Sequence, residues 1–316
     1  MTSDNLAEFA KKLNNSQDYR VLKRYKKPSF YNQDDGSPKL IGVFLDIEAT
    51  GLSYEQDKLI ELGMVKFEYD SAGKIFRILN EFNAYQDPHM PIPEFITSLT
   101  GITDDMVTGK TINSSAVSQF LDGVDLIVAH NAQFDRVFFE KTFPDISAKP
   151  WACSMFDINW RNEQIESHKL EYIAYKYNFF YEGHRAITDC LIGIHILSQT
   201  LYNSKSLALK QMLDNSLQLR FRIWAKSAPY EKKDILRSRK YKWLTHPTES
   251  FKAWSIELPE NKIEEEFNFL KSNIYLSSTD LPVDIFDAYH RFSLKTPLYN
   301  QDQYSDKLLW VKHLQY

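Results

Sequence analysis

The chain has 316 residues, 43% hydrophobic and 25% charged, with only Cys153 and Cys190 as cysteines. That composition suits one large or two unequal soluble globular units, and it excludes a disulfide-stapled scaffold or a cysteine-built zinc site. A net charge of −4 hides an uneven layout: 8 Lys/Arg against 5 Asp/Glu over residues 1–39, 12 against 23 over 40–203, and 18 against 14 over 204–316. An acidic centre between basic flanks suits cation binding in the middle and polyanion contacts at the ends. No apolar run is long enough to span a bilayer and the N-terminus has no signal-peptide pattern, so a cytoplasmic location without membrane partners is expected.

Residues 1–38 read as an N-terminal extension. Leu6, Phe9, Ala10 and Leu13 recur at helical spacing, with Ser3 or Asp4 to cap them, and residues 32–38 form an exposed connection. Residues 40–46 are a buried strand. Residues 57–69 and 74–85 add two more, turning at Ser71-Ala72-Gly73. After Pro88, Pro91 and Pro93, helices begin at 94–99 and 114–121. Then come a strand at 126–129, a helix at 131–143, a short strand at 152–155, and helices at 170–177 and 186–201. Strands first, then helix and strand in alternation, predict an α/β layered fold over 39–204.

A smaller α+β accessory domain is expected over 219–276: strands at 220–225 and 253–258, helices at 230–239 and 264–270. Residues 220–252 hold ten Lys/Arg and three acids, interleaved with Trp224, Tyr230, Tyr241 and Trp243. That mixture grips single strands through phosphates and base stacking, or else its aromatics build a small core. Residues 277–316 form a C-terminal tail with no assignable pattern.

The chemistry concentrates in three motifs. Asp46-Ile47-Glu48-Ala49-Thr50-Gly51-Leu52 ends the first strand, and two carboxylates two residues apart point to one face. Gly51 allows backbone to approach a ligand closely. His130-Asn131-Ala132-Gln133-Phe134-Asp135 lies at a strand-to-helix junction, where ligands gather in open α/β sheets. His184-Arg185-Ala186-Ile187-Thr188-Asp189 puts a histidine in a loop and a carboxylate early on the next helix. Carboxylates aimed at one spot in apolar surroundings require a positive charge. An imidazole, with an ordinary pKa of about 6.5, is suited to general-base work.

In order, spacing and local structure these motifs resemble the DEDDh subgroup of 3′→5′ exonucleases, of the DnaQ or proofreading-epsilon kind. Leu99-Thr100-Gly101-Ile102-Thr103 also resembles that family, and His184, in place of a tyrosine, points to the h subgroup. The resemblance covers about residues 40–203 and implies a ribonuclease-H-like mixed sheet flanked by helices. It further implies two Mg²⁺ or Mn²⁺ ions about 4 Å apart, held by Asp46, Glu48, Asp135 and Asp189, with His184 as general base. Thr50, Gly51 and Leu52 would contact the 3′-terminal nucleotide, and Asn131 and Phe134 would support its pocket. The expected substrate is single-stranded DNA or DNA 3′ ends, releasing nucleoside 5′-monophosphates; an exoribonuclease is the alternative within the family, and a silent nucleic-acid-binding module the alternative outside it. A protein partner is expected to dock, if at all, on the N-terminal extension or the C-terminal domain.

Overall fold

The computed structural model describes residues 3–246, 250–275 and 281–293. It divides into two compact units, residues 1–147 with 152–215, and residues 148–151 with 216–316.

The first unit opens with helix α1 (Ser3–Asn14) and a two-residue strand β1 (Lys23–Arg24). The side chains of Ser3 and Asp4, expected to cap α1, lie outside the described residues. Next come strands β2 (Leu40–Ala49), β3 (Leu59–Tyr69) and β4 (Ile75–Tyr85). Helices α2 (Glu94–Thr100), α3 (Asp104–Val107) and α4 (Ser114–Phe120) lead to β5 (Leu126–Ala129) and α5 (Ala132–Thr142). The order continues through β6 (Trp151–Cys153), α6 (Leu170–Lys176), β7 (Phe179–Phe180), α7 (Ala186–Leu197) and α8 (Ala208–Ser216).

The central sheet runs β4-β3-β2-β5-β6. β2 is antiparallel to β3 and parallel to β5, and β3 is antiparallel to β4. This is the expected mixed sheet flanked by helices. Val43, Phe44, Leu45 and Ile47 of β2 and nearly every residue of β3 are buried, because a strand covered on both faces must be apolar throughout. α7 packs on β2 and β3. Its N-terminus docks at Gly63, which stands opposite Asp46 in the ladder. A Cβ there would lie 2.5 Å from the Ala186 carbonyl carbon, so only glycine lets α7 sit this close to Asp46.

The N-terminal extension packs on this unit. β1 pairs in parallel with β7, and Tyr31 and Asn32 bond to the backbone of Phe76 and Ile75 at the start of β4. The small strands β1 and β7 and the four-residue helix α3 have no strong periodic signal in the sequence, whereas α8 buries Ala208, Leu209, Met212 and Leu213 at helical spacing. The helix expected over 186–201 stops at Leu197, and a bridge between Thr200 and Leu207 follows.

The second unit is an antiparallel sheet built on β8 (Arg220–Ala225). After helix α9 (Lys233–Ser238) come β9 (Lys242–Thr245), β10 (Lys252–Pro259), helix α10 (Ile263–Leu270) and β11 (Val283–Phe286), in sheet order β11-β8-β10-β9. β11 belongs to the stretch expected to be a patternless tail; residues 277–280 and 294–316 lie outside the described residues. Phe221, Ile223, Leu236, Tyr241 and Ile285 form the core. Trp224 is fully buried and donates its indole N–H to Asp284 Oδ2 at 2.8 Å, so this aromatic is core. Tyr230 and Trp243 are exposed. Among the described residues no helix is long and apolar enough to cross a membrane.

Candidate functional site

β2 carries Asp46 and Glu48 out of the core at its C-terminal end, where the ladder slips between Glu48 and Ala49. Such irregularities re-aim side chains where a strand leaves its sheet. Asp135 sits in the first turn of α5, buried, and its Oδ1 accepts the Ile47 N–H at 3.1 Å. That bond crosses from helix to strand between the two acids of β2. Asp189, in the first turn of α7, is buried as well, and its Oδ2 accepts the His184 N–H at 2.9 Å. Its Oδ1 is buried with no hydrogen-bond partner, as is the facing Tyr181 hydroxyl. His184 itself adopts a left-handed backbone, φ 62°, sparsely populated by residues with a Cβ. Donor atoms of Glu48, His184 and Asp189 lie within 4.8 Å of one another.

The four carboxyls do not behave as ordinary ones. Burial first, then the charges of Asp135, Asp189 and Glu48, raise Asp46 well above the usual range. Burial and the neighbouring Asp189 and Glu61 push Glu48 up to about 8. Burial lifts Asp135 to about 8 against the bonds from backbone N–H groups that hold it down. Asp189 rises to about 7, chiefly by burial. Mutual repulsion of this kind marks a place prepared for positive charge, and the orphaned Asp189 Oδ1 fits a cation ligand. An all-oxygen carboxylate set suits Mg²⁺ or Mn²⁺.

Asp46, Asn131, Phe134, Asp135, His184 and Asp189 all line one cleft of about 790 Å³, together with Leu99, Lys169, Glu171 and Tyr181. Phe134 leans on Phe138 at 4.7 Å between ring centroids. Glu48 adjoins through Asp189 and His184. Thr50, Gly51 and Leu52 are not in the cleft wall. The Thr50 amide donates to Lys58 O, and its buried hydroxyl donates to Asp57 Oδ1 and accepts from Lys58 N. The close approach that Gly51 permits is to the Asp57 carboxylate, 2.5 Å from a hypothetical Cβ, where the motif alone suggests a ligand. Leu52 is 87% exposed, so it is no core residue. His130 is a buried structural group: Nδ1 meets Ser154 Oγ at 2.9 Å, Nε2 meets His168 O at 2.6 Å, and burial lowers its pKa to about 4.

Two supports have no motif in the sequence to announce them. Glu171 Oε1 lies 3.6 Å from His184 Nε2, an ion-pair distance when the ring is protonated. Glu61 of β3, fully buried, stands opposite Glu48 in the ladder. It accepts Arg185 Nη2 at 3.0 Å, Ala186 N at 3.1 Å and Asn83 Nδ2 at 3.0 Å; Arg185 also bonds the Tyr85 hydroxyl. An acid inside the apolar run of β3 was the available signal, since a buried charge requires partners. This clamp fixes the residues between His184 and Asp189 to the sheet. Arg185→Ala should take the paired cation from buried Glu61, leaving it only the Asn83 and Ala186 donors, and lower stability by roughly 1–3 kcal/mol, the scale for losing a hydrogen bond to a buried charged group. Urea unfolding checks this; an unchanged midpoint would show that the clamp adds nothing to stability.

The same residues fall within a known family. Residues 43–197 match the RNase_T profile, described as Exonuclease. Over 184 residues the chain is 30% identical to the PolC-type DNA polymerase III of Staphylococcus epidermidis, and over 183 residues 32% identical to that of Clostridium perfringens. These matches cover 56% and 53% of this chain but 12% of each relative, so the chain spans about an eighth of their length. Among solved structures, the nuclease domain of 3′hExo, a DEDDh family member bound to rAMP, is 19% identical over 53% of this chain and 94% of its own, with a TM-score of 0.43. The zinc-bound E. coli ExoI–ssDNA complex is 16% identical over 71% and 64%, with a TM-score of 0.46. Over residues 43–197 the chain is therefore similar to the exonucleases of the RNase_T family.

Proposed function

We propose that this protein is a Mg²⁺- or Mn²⁺-dependent 3′→5′ exonuclease of cytoplasmic location, acting on single-stranded DNA or DNA 3′ ends. The carrying observation is the meeting of Asp46, Glu48, Asp135 and Asp189 beside His184, with Asp189 Oδ1 buried and unpartnered. The RNase_T match over the same residues supports the reaction class.

Asp46, Glu48, Asp135 and Asp189 would hold two divalent ions. Bound there, such ions would supply a Lewis-acid clamp on the phosphate and would make water a better nucleophile. The protein's own groups do the rest. Asp135 and Asp189 are fixed by backbone N–H donors, so the cage needs little rearrangement on loading. His184 takes the proton of the attacking water, with Glu171 as the ion-pair partner of the protonated ring. Phe134 and Asn131, in the cleft wall, would brace the terminal nucleotide, and Leu52, exposed outside that wall, would wedge against a base. The leaving group is the 3′-hydroxyl of the shortened strand, and the product is a nucleoside 5′-monophosphate.

His184→Ala should slow hydrolysis by roughly 10²–10⁴, the usual contribution of a general base. Single-turnover rates on labelled strands test this, and a rate equal to wild type would remove His184 from the role. Running DNA and RNA of one sequence in parallel tests the substrate; faster loss of the RNA would favour the exoribonuclease reading.

A further inference from the structure

A second groove lies on the same unit, and most of its wall comes from residues that precede the family match. It has a volume of about 740 Å³ and is walled by Tyr19, Arg20, Lys23, Arg24, Lys26 and the segment Tyr177 to Phe179. We propose that this groove is a track for single-stranded nucleic acid, in which the N-terminal strand β1 holds the phosphates of the chain running away from the cleft. The proposal deepens the exonuclease reading and rests on it for the identity of the polymer.

The charge of this wall is one-sided. Residues 19–27 contain Arg20, Lys23, Arg24, Lys26 and Lys27 and no acid. Three of these are engaged. Arg20 Nη2 donates to the carbonyls of Tyr175 and Lys176 at the end of α6, Arg24 meets Glu182 at 3.0 Å, and Lys27 meets Glu81 at 2.6 Å. Lys23 and Lys26 are exposed and have no ion-pair partner among the described residues. The Arg24–Glu182 pair is itself exposed, so an incoming phosphate can replace Glu182 at small cost.

Aromatic rings stand in and beside the groove: Tyr19 in its wall, and Tyr175 and Phe180 outside it, next to Arg20 and Arg24. Tyr19 is 62% exposed, Tyr175 41% and Phe180 39%. Arg20 lies over Tyr175 at 4.0 Å and Arg24 over Phe180 at 5.0 Å. Exposed rings among cations are the equipment for stacking bases while neutralising phosphates, without regard to sequence.

The strand pairing links groove and cleft. β1 is bonded along β7, with Lys23 opposite Phe179 and Arg24 opposite Phe180. The next residue, Tyr181, lines the carboxylate cleft, and Glu182, which Arg24 reaches, is two residues from His184. Residues 40–203 carry 12 Lys/Arg against 23 Asp/Glu, an excess of negative charge that repels a polyanion. A basic strand laid beside the cleft counters that repulsion where the nucleic acid must enter.

The test is fluorescence anisotropy of 5′-labelled oligothymidylate bound by the full-length protein, in chelator to suppress hydrolysis, over a series of salt concentrations. The neutral double variant Lys23→Gln/Lys26→Gln should bind about tenfold more weakly at low salt. Its plot of log affinity against log salt should be shallower by about 1.4, or 0.7 for each phosphate no longer neutralised on a single strand. Circular dichroism confirms that the variant is folded, which its exposed positions favour. Affinity and slope equal to wild type would overturn the track. If instead binding falls as expected while the wild-type protein releases no nucleotide in Mg²⁺, the track stands and the exonuclease reading fails. Normal release with unaltered binding by the variant means that the exonuclease reading stands and the track fails.

Discussion

Replacing Asp46 or Asp189 with alanine is expected to lower the rate of nucleotide release by about 10⁴ or more. A metal clamp supplies several kcal/mol to a phosphoryl-transfer transition state, and each 1.36 kcal/mol is tenfold in rate. Asp46 feels the charges of Asp135, Asp189, Glu48 and Glu61 at once, so its carboxylate stands where the whole cluster converges. Asp189 presents a buried carboxylate oxygen whose only neighbouring donor is the Tyr181 hydroxyl. The same substitutions should leave the fold intact and raise the stability of the metal-free protein, because each removes a like charge from a buried group. Lost activity joined to gained stability is the pattern of a functional site held at a structural cost. Quench-flow rates with thermal unfolding in chelator check both halves. A variant that keeps more than a few per cent of the wild-type rate would sink the assignment of that residue.

The second large effect concerns metal and pH. Glu48 and Asp135 are raised to about 8 and Asp189 to about 7, from ordinary values of 4.5, 3.8 and 3.8, mainly by burial. A carboxyl whose folded pKa is raised binds more protons folded than unfolded, so stability falls as pH rises between the two values. Metal-free protein should therefore lose stability steadily from about pH 4 to about pH 8. Below that window both states are protonated, and above it the penalty is complete. Mg²⁺ at about a hundredfold over its Kd should restore about 2.7 kcal/mol, of order 5–10 °C in Tm for a unit of this size, and more at pH 8 than at pH 5. Scanning calorimetry with Mg²⁺ and with chelator across that range measures it. A metal-free Tm that climbs from pH 5 to pH 8 would contradict the sign.

Much of the site is legible in the sequence because its spacing is tied to element ends. Asp46 and Glu48 share a face by strand alternation, and Asp135 and Asp189 each fall in the first turn of a helix. The mixed sheet is legible from the apolar runs that form β2 to β5. The remainder depends on register and long-range approach. Glu61 gains its meaning only when β3 sets it opposite Glu48 and α7 brings Arg185 over it. Gly51 suggests room for a ligand, yet Asp57 six residues later fills the space. Two-residue strands such as β1 and β7 have no period to detect, so from sequence the basic strand beside the cleft is only part of a loose lead-in. β11, in a stretch of no clear pattern, is fixed by pairing with β8. Trp224 and Trp243 share one composition signal, but one is core and the other exposed.

The proposed activity requires that four carboxylates and His184 make a divalent-cation-dependent site that removes nucleotides from 3′ ends. The decisive experiment incubates 3′-labelled and 5′-labelled single strands with the full-length protein, in Mg²⁺ and in chelator, with Asp46→Ala alongside. The 3′ label should leave at once as a mononucleotide while the 5′-labelled strand shortens stepwise, in Mg²⁺ only and with wild-type protein only. Release that persists in chelator or in Asp46→Ala, or mononucleotide appearing first from the 5′ label, would contradict the proposed site.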